Sequence, residues 1–231
     1  MIFYRKVRAV TRRSYNQYCG LSRSLDLVGE RWTLLVVREL MSGPKRYSDL
    51  ADALDGIGTS LLANRIKQLH EDGLITREHL PPPAASQVYT LTPTGRELAA
   101  ALVPLALWGM RHRLDEPRRP DENYRAEWSL VFLAALIDPA DTVGVRVTVQ
   151  FRLDDSAAAL SIEDGAIRVT PGEVDHADTV VVTDLRTLAG LAYGPVDPVA
   201  IGERVRVEGD AAPARLLIDL LTRHREVLRF S

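Results

Sequence analysis

Residues 48–95 read SDLADALDGIGTSLLANRIKQLHEDGLITREHLPPPAASQVYTLTPTG, and the order of signals in this stretch decides the fold. Ser48 is a candidate N-cap for a short helix. Asp49 suits its first turn, and Leu50, Ala53 and Leu54 point inward. Asp55-Gly56 is a turn. A second helix is expected from Thr59 to His70. Leu62, Ile66 and Leu69 fall at i, i+4 and i+7 and form its buried stripe, with Ser60, Asn64, Lys67 and Glu71 opposite and Ala63 close by. After Asp72-Gly73, the segments Leu74–His79 and Gln87–Leu91 read as two strands. The Pro81-Pro82-Pro83 run between them cannot join a ladder, which predicts a protruding loop rather than a tight turn. Thr92-Pro93-Thr94-Gly95 opens another helix, with proline in the first turn.

Outward from this stretch, Leu21–Val28 and Trp32–Met41 read as two preceding helices separated by Gly29. The helix after Gly95 is expected to end near His112. It is apolar over most of its surface, which predicts a partner on more than one side and hence a dimer interface. Three helices, a fourth with an exposed polar face, then a two-stranded ribbon is the element order of a winged helix. In such a module the first helix of the pair (about Ser48–Leu54) supports the second, whose polar face enters the major groove.

Residues 113–122 carry Pro117 and Pro120 among charged neighbours and are expected to link two domains, 1–112 and 123–231. Beyond them Glu127–Ile137 reads as a helix. From Val143 to Leu153, apolar residues (Val143, Val145, Val147, Val149, Phe151, Leu153) alternate with Gly144, Arg146, Thr148, Gln150 and Arg152. That period of two predicts a strand with one wet face. Asp164-Gly165 is a hairpin signal between Ala158–Ile162 and Ala166–Thr170. Thr179–Thr183 and Arg204–Glu208 are further strands, and Leu185–Ala192 and Ala212–Leu221 further helices. The predicted class is α+β throughout: an N-terminal winged helix-turn-helix, then a smaller α+β domain with a mostly antiparallel sheet.

Composition narrows the function. The chain has 231 residues, 29 Lys+Arg, 31 Asp+Glu and a formal charge of −2. Residues 1–119 carry a balance of +6 and residues 120–231 one of −8, which makes the first half the candidate for a polyanionic partner. Its first 25 residues hold Arg5, Lys6, Arg8, Arg12, Arg13 and Arg23 and no acid. One cysteine excludes an internal disulfide. The N-terminus lacks the apolar core of a signal peptide. The longest apolar run, Leu98–Met110, is too short to span a bilayer and is broken by Pro104. A cytoplasmic protein with no membrane partner is expected. The five histidines are scattered without metal-ligand spacing, no phosphate-binding loop or dinucleotide fingerprint occurs, and the paired carboxylates read as turn residues. Neither an enzyme nor a bound cofactor or metal is expected.

Cys19, Ser24-Leu25-Asp26-Leu27-Val28-Gly29-Glu30-Arg31-Trp32, Leu34-Leu35 and Gly43-Pro44-Lys45-Arg46-Tyr47-Ser48-Asp49-Leu50 occur in that order. They are followed by Gly56-Ile57, Leu62, Arg65, Leu69, Glu71-Asp72-Gly73-Leu74-Ile75, Tyr89-Thr90-Leu91-Thr92-Pro93-Thr94-Gly95 and Leu107-Trp108-Gly109. This series resembles the HxlR family of winged-helix transcription regulators over roughly residues 15–112. The resemblance implies a homodimeric regulator, joined largely through its terminal helices, on a palindromic double-stranded operator. The expected DNA contacts are Thr59, Ser60, Ala63, Asn64, Arg65, Lys67, Lys45, Arg46 and Arg77. Asn can bind adenine bidentately and Lys can reach guanine; the bland alternative is that these positions are merely solvated. Arg65 has the rival role of supporting the fold. Departures from the family pattern fall at Gly58 (usually Ser), Ser60 (often basic), Ser86 (usually Arg) and Val88 (usually acidic). They lower the expected phosphate affinity of the wing, for which the basic arm compensates. Cys19 stands where several members carry a thiol that senses oxidants or electrophiles; the competing reading is a small buried residue.

The second half resembles the sterol carrier protein type two-like domain over roughly residues 122–225. It does so through the strand Val143–Leu153, Ile162-Glu163-Asp164-Gly165-Ala166-Ile167, Ala177–Thr183, Leu188-Ala189-Gly190-Leu191 and Val207-Glu208-Gly209-Asp210. This implies an apolar groove for a small hydrophobic ligand, with Val147, Val149, Phe151, Leu188, Leu191, Leu217 and Leu221 as lining or, alternatively, as plain core. A ligand bound there would modulate a repressor's DNA affinity. The domain is alternatively a second dimerisation surface or a protein-binding module, and a lipid carrier without specific DNA binding is the reading furthest from a regulator.

Overall fold

The structure is a computed structural model and describes residues 14–113, 118–193 and 204–223, with the side chains of 191–193 left out. Its contacts group the chain into two units, Met1–Ala99 and Ala100–Ser231, which are described separately. No helix among the described residues is long and apolar enough to cross a membrane.

In the first unit α1 (Gly20–Val28), α2 (Thr33–Met41), α3 (Tyr47–Ala53) and α4 (Thr59–Glu71) precede β1 (Ile75–His79) and β2 (Gln87–Leu91). The expected order is present, with bounds shifted by a residue or two. Val36, Val37, Leu50, Leu62, Ile66 and Leu69 are buried and form the core. Ser48 is not the N-cap. Arg46 occupies that position, and the carboxylate of Asp49 accepts the Arg46 backbone N–H at 2.8 Å, satisfying a first-turn donor from the third helical residue. β1 and β2 are antiparallel, Ile75 facing Leu91 and His79 facing Gln87. Lys45 pairs with Tyr89 in both directions, at 3.0 and 2.8 Å, so a third short strip lies beside β2. The loop 80–86 is largely exposed, as its prolines predict.

Helix α5 runs from Pro93 to Arg113. At Gly95 a side chain is excluded, because a Cβ would run into the carbonyl oxygen of Leu74. The Thr92 hydroxyl donates to the Gly73 carbonyl at 2.6 Å and accepts the Gly95 N–H at 3.1 Å, fixing this close approach.

The second unit contains α6 (Ala126–Ala134), a 3-10 turn (Pro139–Thr142), β3 (Arg146–Leu153), β4 (Ser156–Glu163), β5 (Ala166–Pro171), β6 (Thr179–Thr183), α7 (Leu185–Tyr193), β7 (Arg206–Gly209) and α8 (Ala212–Arg223). The sheet order is β5-β4-β3-β6-β7. Every pairing is antiparallel except β3 with β6. Helix α6 packs on β4 and β5, and α8 on β3 and β6. The Asp164-Gly165 turn has φ of 46° and 83°, the left-handed pair a two-residue hairpin needs.

Two expectations for β3 fail. The strand starts at Arg146, not Val143. The 3-10 turn and Gly144, at φ 74°, bend the chain first and leave Val143 71% exposed. The supposed wet face is not wet at Gln150, which is 1% exposed. The 172–178 connection must pass β4 and β3 to reach β6, and it runs along Gln150. The amide of Gln150 donates to the Gly172 carbonyl at 3.2 Å and accepts the Val174 N–H at 2.9 Å. Of the expected ligand-lining residues, Val147, Val149, Phe151, Leu188 and Leu217 are buried in the core, Leu221 is half-buried, and the side chain of Leu191 lies outside the described residues.

Candidate nucleic-acid interface

The sequence places one polar helix face in the first unit, and the structure leaves it open. Thr59, Ser60, Ala63, Asn64 and Lys67 are all exposed on α4. Gly58 caps this helix in extended geometry with no side-chain bond, its carbonyl accepting the Leu61 and Leu62 N–H groups. The Tyr47 hydroxyl donates to the Thr59 carbonyl at 2.9 Å and ties the start of α4 to α3. Nothing in the sequence marks this anchor, since a tyrosine directly after the Arg46 cap carries no distinctive pattern. Lys67 and Glu71 approach at 3.9 Å with both side chains well exposed, a pair too weak to remove the lysine from a competing phosphate or base.

Arg65 departs from the expected set. It is 7% exposed and points inward. Its guanidinium donates to the Arg31 carbonyl at 3.1 Å, to Gln68 Oε1 at 2.7 Å and to Glu30 Oε2 at 2.9 Å. It therefore holds the turn between α1 and α2, where Trp32 takes a left-handed backbone at φ 78°. For a bulky L-residue that conformation costs on the order of 1–2 kcal/mol, which these bonds offset. The sequence carried the signal: position 65 lies three residues after Leu62 and four before Leu69, on the inward side of the stripe.

The remaining cations stand around the ribbon. Lys45 is half-buried, and Arg46 and Arg77 are exposed. Arg77 lies over the ring of Tyr89, directly across the ladder, at 5.7 Å from its centroid. Arg46 Nε donates to the hydroxyl of Ser86 at 3.0 Å. A groove of about 330 Å³ between α4 and the ribbon is lined by Tyr47, Ile66, Lys67, His70, Arg77 and Tyr89, among others. The basic arm, with Arg5, Lys6, Arg8, Arg12 and Arg13, lies outside the described residues.

Cys19 is exposed and immediately precedes α1. No hydrogen bond of good geometry joins its sulfur to the helix. The neighbouring backbone N–H groups of Ser22 and Leu21, and the Ser22 hydroxyl, nevertheless favour the thiolate and hold its pKa below the ordinary thiol value. In the second unit a cleft of about 890 Å³ is charged rather than apolar, with Arg118, Arg119, Glu122, Asp154, Asp184 and Arg186 among its walls. Among the described residues no group of histidine, cysteine or carboxylate side chains is arranged to hold a metal ion.

An exposed polar helix presented by a supporting helix, beside a two-stranded ribbon with Lys45, Arg46 and Arg77 around it, defines a winged helix-turn-helix, a DNA-binding class. Residues 27–116 match the profile described as HxlR-like helix-turn-helix. The chain is 42% identical over 106 residues to the HTH-type transcriptional regulator Rv3095 of Mycobacterium tuberculosis, covering 46% of this chain and 66% of that relative. It is 32% identical over 88 residues to the HTH-type transcriptional regulator YodB of Bacillus subtilis, covering 38% of this chain and 79% of the relative. The solved structure of reduced YodB covers 44% of this chain and all of its own, at 29% identity and a TM-score of 0.38. The chain belongs to the HxlR-like helix-turn-helix family of transcriptional regulators. Residues 117–231 fall outside the matched range.

Proposed function

We propose that the chain is a homodimeric, cytoplasmic transcriptional repressor that reads a palindromic operator through α4 and whose second unit receives a small effector. The observation that carries this reading is the exposed face Thr59-Ser60-Ala63-Asn64-Lys67 flanked by Arg46 and Arg77. Homodimerisation is supported by apolar side chains left exposed on α1 (Leu21 at 69%, Leu27 at 46%) and late in α5 (Leu105 at 54%, Trp108 at 58%), the kind of surface a second copy covers. The effector role of the second unit is supported by its sheet with helices packed on it, an arrangement like that of sterol-carrier domains. In this reading a small molecule bound to the second unit acts through a different affinity for the DNA-competent and DNA-free states, while Val147, Val149, Phe151, Leu188 and Leu217 fill the core between sheet and helices.

The test is selection of genomic fragments bound by the full chain, followed by footprinting and a screen for molecules that release them. Two half-sites about one helical turn apart are expected. A chain that shifts no DNA but binds fatty acids would instead be a carrier. A second reading is favoured by the exposed, thiolate-prone Cys19: oxidants or electrophiles release the DNA by modifying it. Operator release by diamide that persists in Cys19→Ser ends that reading and leaves the first untouched.

A further inference from the structure

We propose that Arg46 and Ser86 form one phosphate clamp, in which the serine hydroxyl aims the arginine of the helix-turn-helix at the nucleic-acid backbone beside the wing. The inference rests on the DNA-binding reading above and names two positioning residues for it. Arg46 lies at the start of α3, yet its side chain reaches the wing, forty residues further along the chain. The backbone makes this possible. The Lys45–Tyr89 bridge lays residue 45 against β2, so residue 46 emerges beside the ladder near the point where Ser86 enters it.

The geometry of the bond determines its use. Only Nε of Arg46 donates to the Ser86 Oγ, at 3.0 Å. The two terminal nitrogens carry no bond or ion pair to any described residue, although the side chain is exposed. A guanidinium fixed through Nε keeps a planar pair of donors facing outward, the fork that matches a phosphate's oxygens. Ser86 itself is half-buried and its carbonyl accepts the Leu80 N–H at 2.9 Å, so the acceptor is held by the closed base of the wing loop. A serine here brings no charge of its own, so the arginine keeps its full positive charge toward the solvent. An acid in its place would neutralise that charge.

The Asp49 carboxylate takes the backbone N–H of residue 46, not its side chain. Changing the side chain therefore leaves the helix cap in place, and the thermal unfolding midpoint of each variant confirms folding. A phosphate contact is independent of base sequence, so the probe is a fluorescein-labelled duplex of mixed sequence titrated with the full chain across a salt series. Arg46→Gln is expected to flatten the slope of log K against log salt by about 0.9 per subunit, the value for one lost phosphate contact on duplex DNA. Ser86→Ala is expected to lower affinity several-fold with most of the slope retained, since the charge remains but is no longer aimed. Ser86→Asp is expected to flatten the slope as Arg46→Gln does, through an internal ion pair. The double variant Arg46→Gln/Ser86→Ala should be no weaker than Arg46→Gln alone, because the serine acts only through the arginine. A slope unchanged in Arg46→Gln, or effects of the two substitutions that add, overturns the clamp while wild-type binding stands. A wild-type chain that does not bind the duplex overturns the DNA-binding reading itself.

Discussion

Replacing Arg65 by methionine separates the two roles that its position allows. The side chain is 8% exposed, and its partner Glu30 is 58% exposed. Three hydrogen bonds are lost: to Glu30, to the Arg31 carbonyl and to Gln68. Bonds from a charged donor contribute about 1.5–3 kcal/mol when shielded from water, whereas a pair with one partner largely in solvent contributes roughly 0–1 kcal/mol. The Glu30 bond belongs to the weaker kind and the other two to the stronger. Methionine keeps most of the packing volume, so no large cavity opens. The expected loss is about 3 kcal/mol, a large fraction of the roughly 5–15 kcal/mol that holds a domain folded. For a unit of about 100 residues that lowers the melting temperature by roughly 12–24 °C, at about 4–8 °C per kcal/mol. The assay is thermal unfolding of the full chain, with fluorescence of Trp32, which sits on the turn Arg65 holds, as the local reporter. Arg65→Lys should recover little, since one ammonium cannot reach three acceptors set around a guanidinium plane. The salt slope of DNA binding, measured where the variant is still folded, should match wild type. A variant that melts within about 1 kcal/mol of wild type and loses one phosphate from its salt slope would refute the structural role and return Arg65 to the DNA.

Three other outcomes are expected. Asn64→Ala should cost about 1–3 kcal/mol at the selected operator and relax specificity at one base pair, with affinity for mixed-sequence DNA unchanged; competition binding with operator variants checks this. Gln150→Leu should destabilise the second unit by about 1–3 kcal/mol, because Val174 N–H and the Gly172 carbonyl lose a buried partner, and amide exchange at Val174 should become fast. Burial pushes the Tyr124 phenol up to about 12, so its ultraviolet ionisation signal should follow those of the exposed tyrosines. The folded value lies above the unfolded one, so the stabilisation is complete below about pH 10 and is lost as pH rises toward 12; Tyr124→Phe should remove that part of the alkaline sensitivity.

Elements with a local cause were legible in the sequence. The bounds of β2 and β6 follow from residue type and flanking turns, and α4 follows from a stripe of period 3.6. The Asp164-Gly165 turn follows from the need for positive φ at two successive residues. What was not legible depends on segments distant in sequence. Alternation over residues 143–153 reports which residues share a face but not where the ladder begins, and Gly144 ends it early by turning the chain. The same alternation assigns Gln150 to solvent. Only the path of the 172–178 connection, set by strand order, buries it. Ser48 looks like a cap because serine usually caps, but the pairing of Lys45 with Tyr89 fixes the backbone one step earlier and moves the cap to Arg46. At the candidate site, exposure of five α4 residues followed from the stripe. The Arg46–Ser86 bond spans forty residues and has no one-dimensional signature.

The formal charge of a half-chain is not its charge toward DNA, and the structure makes the difference countable. Arg65 is engaged internally, and Arg38 is held by the buried Glu39 at 2.6 Å. Around α4 and the ribbon, Arg46, Arg77 and the weakly paired Lys67 remain available. Three phosphate contacts give a salt slope of about −2.7 per subunit. Arg5, Lys6, Arg8, Arg12 and Arg13 are five more cations in a segment without a single acid. If each neutralises one phosphate, they add up to about −4.5 and outweigh the winged helix itself. Deleting residues 1–13 should then weaken binding to every sequence and flatten the slope by more than the loss of Arg46, while leaving the ranking of operators unchanged, because in the proposed reading the arm supplies only charge and Thr59, Ser60 and Asn64 of α4 supply the base contacts. A deletion that leaves the slope at its full-length value would show that the cations on the folded surface suffice and that the arm does not touch the duplex.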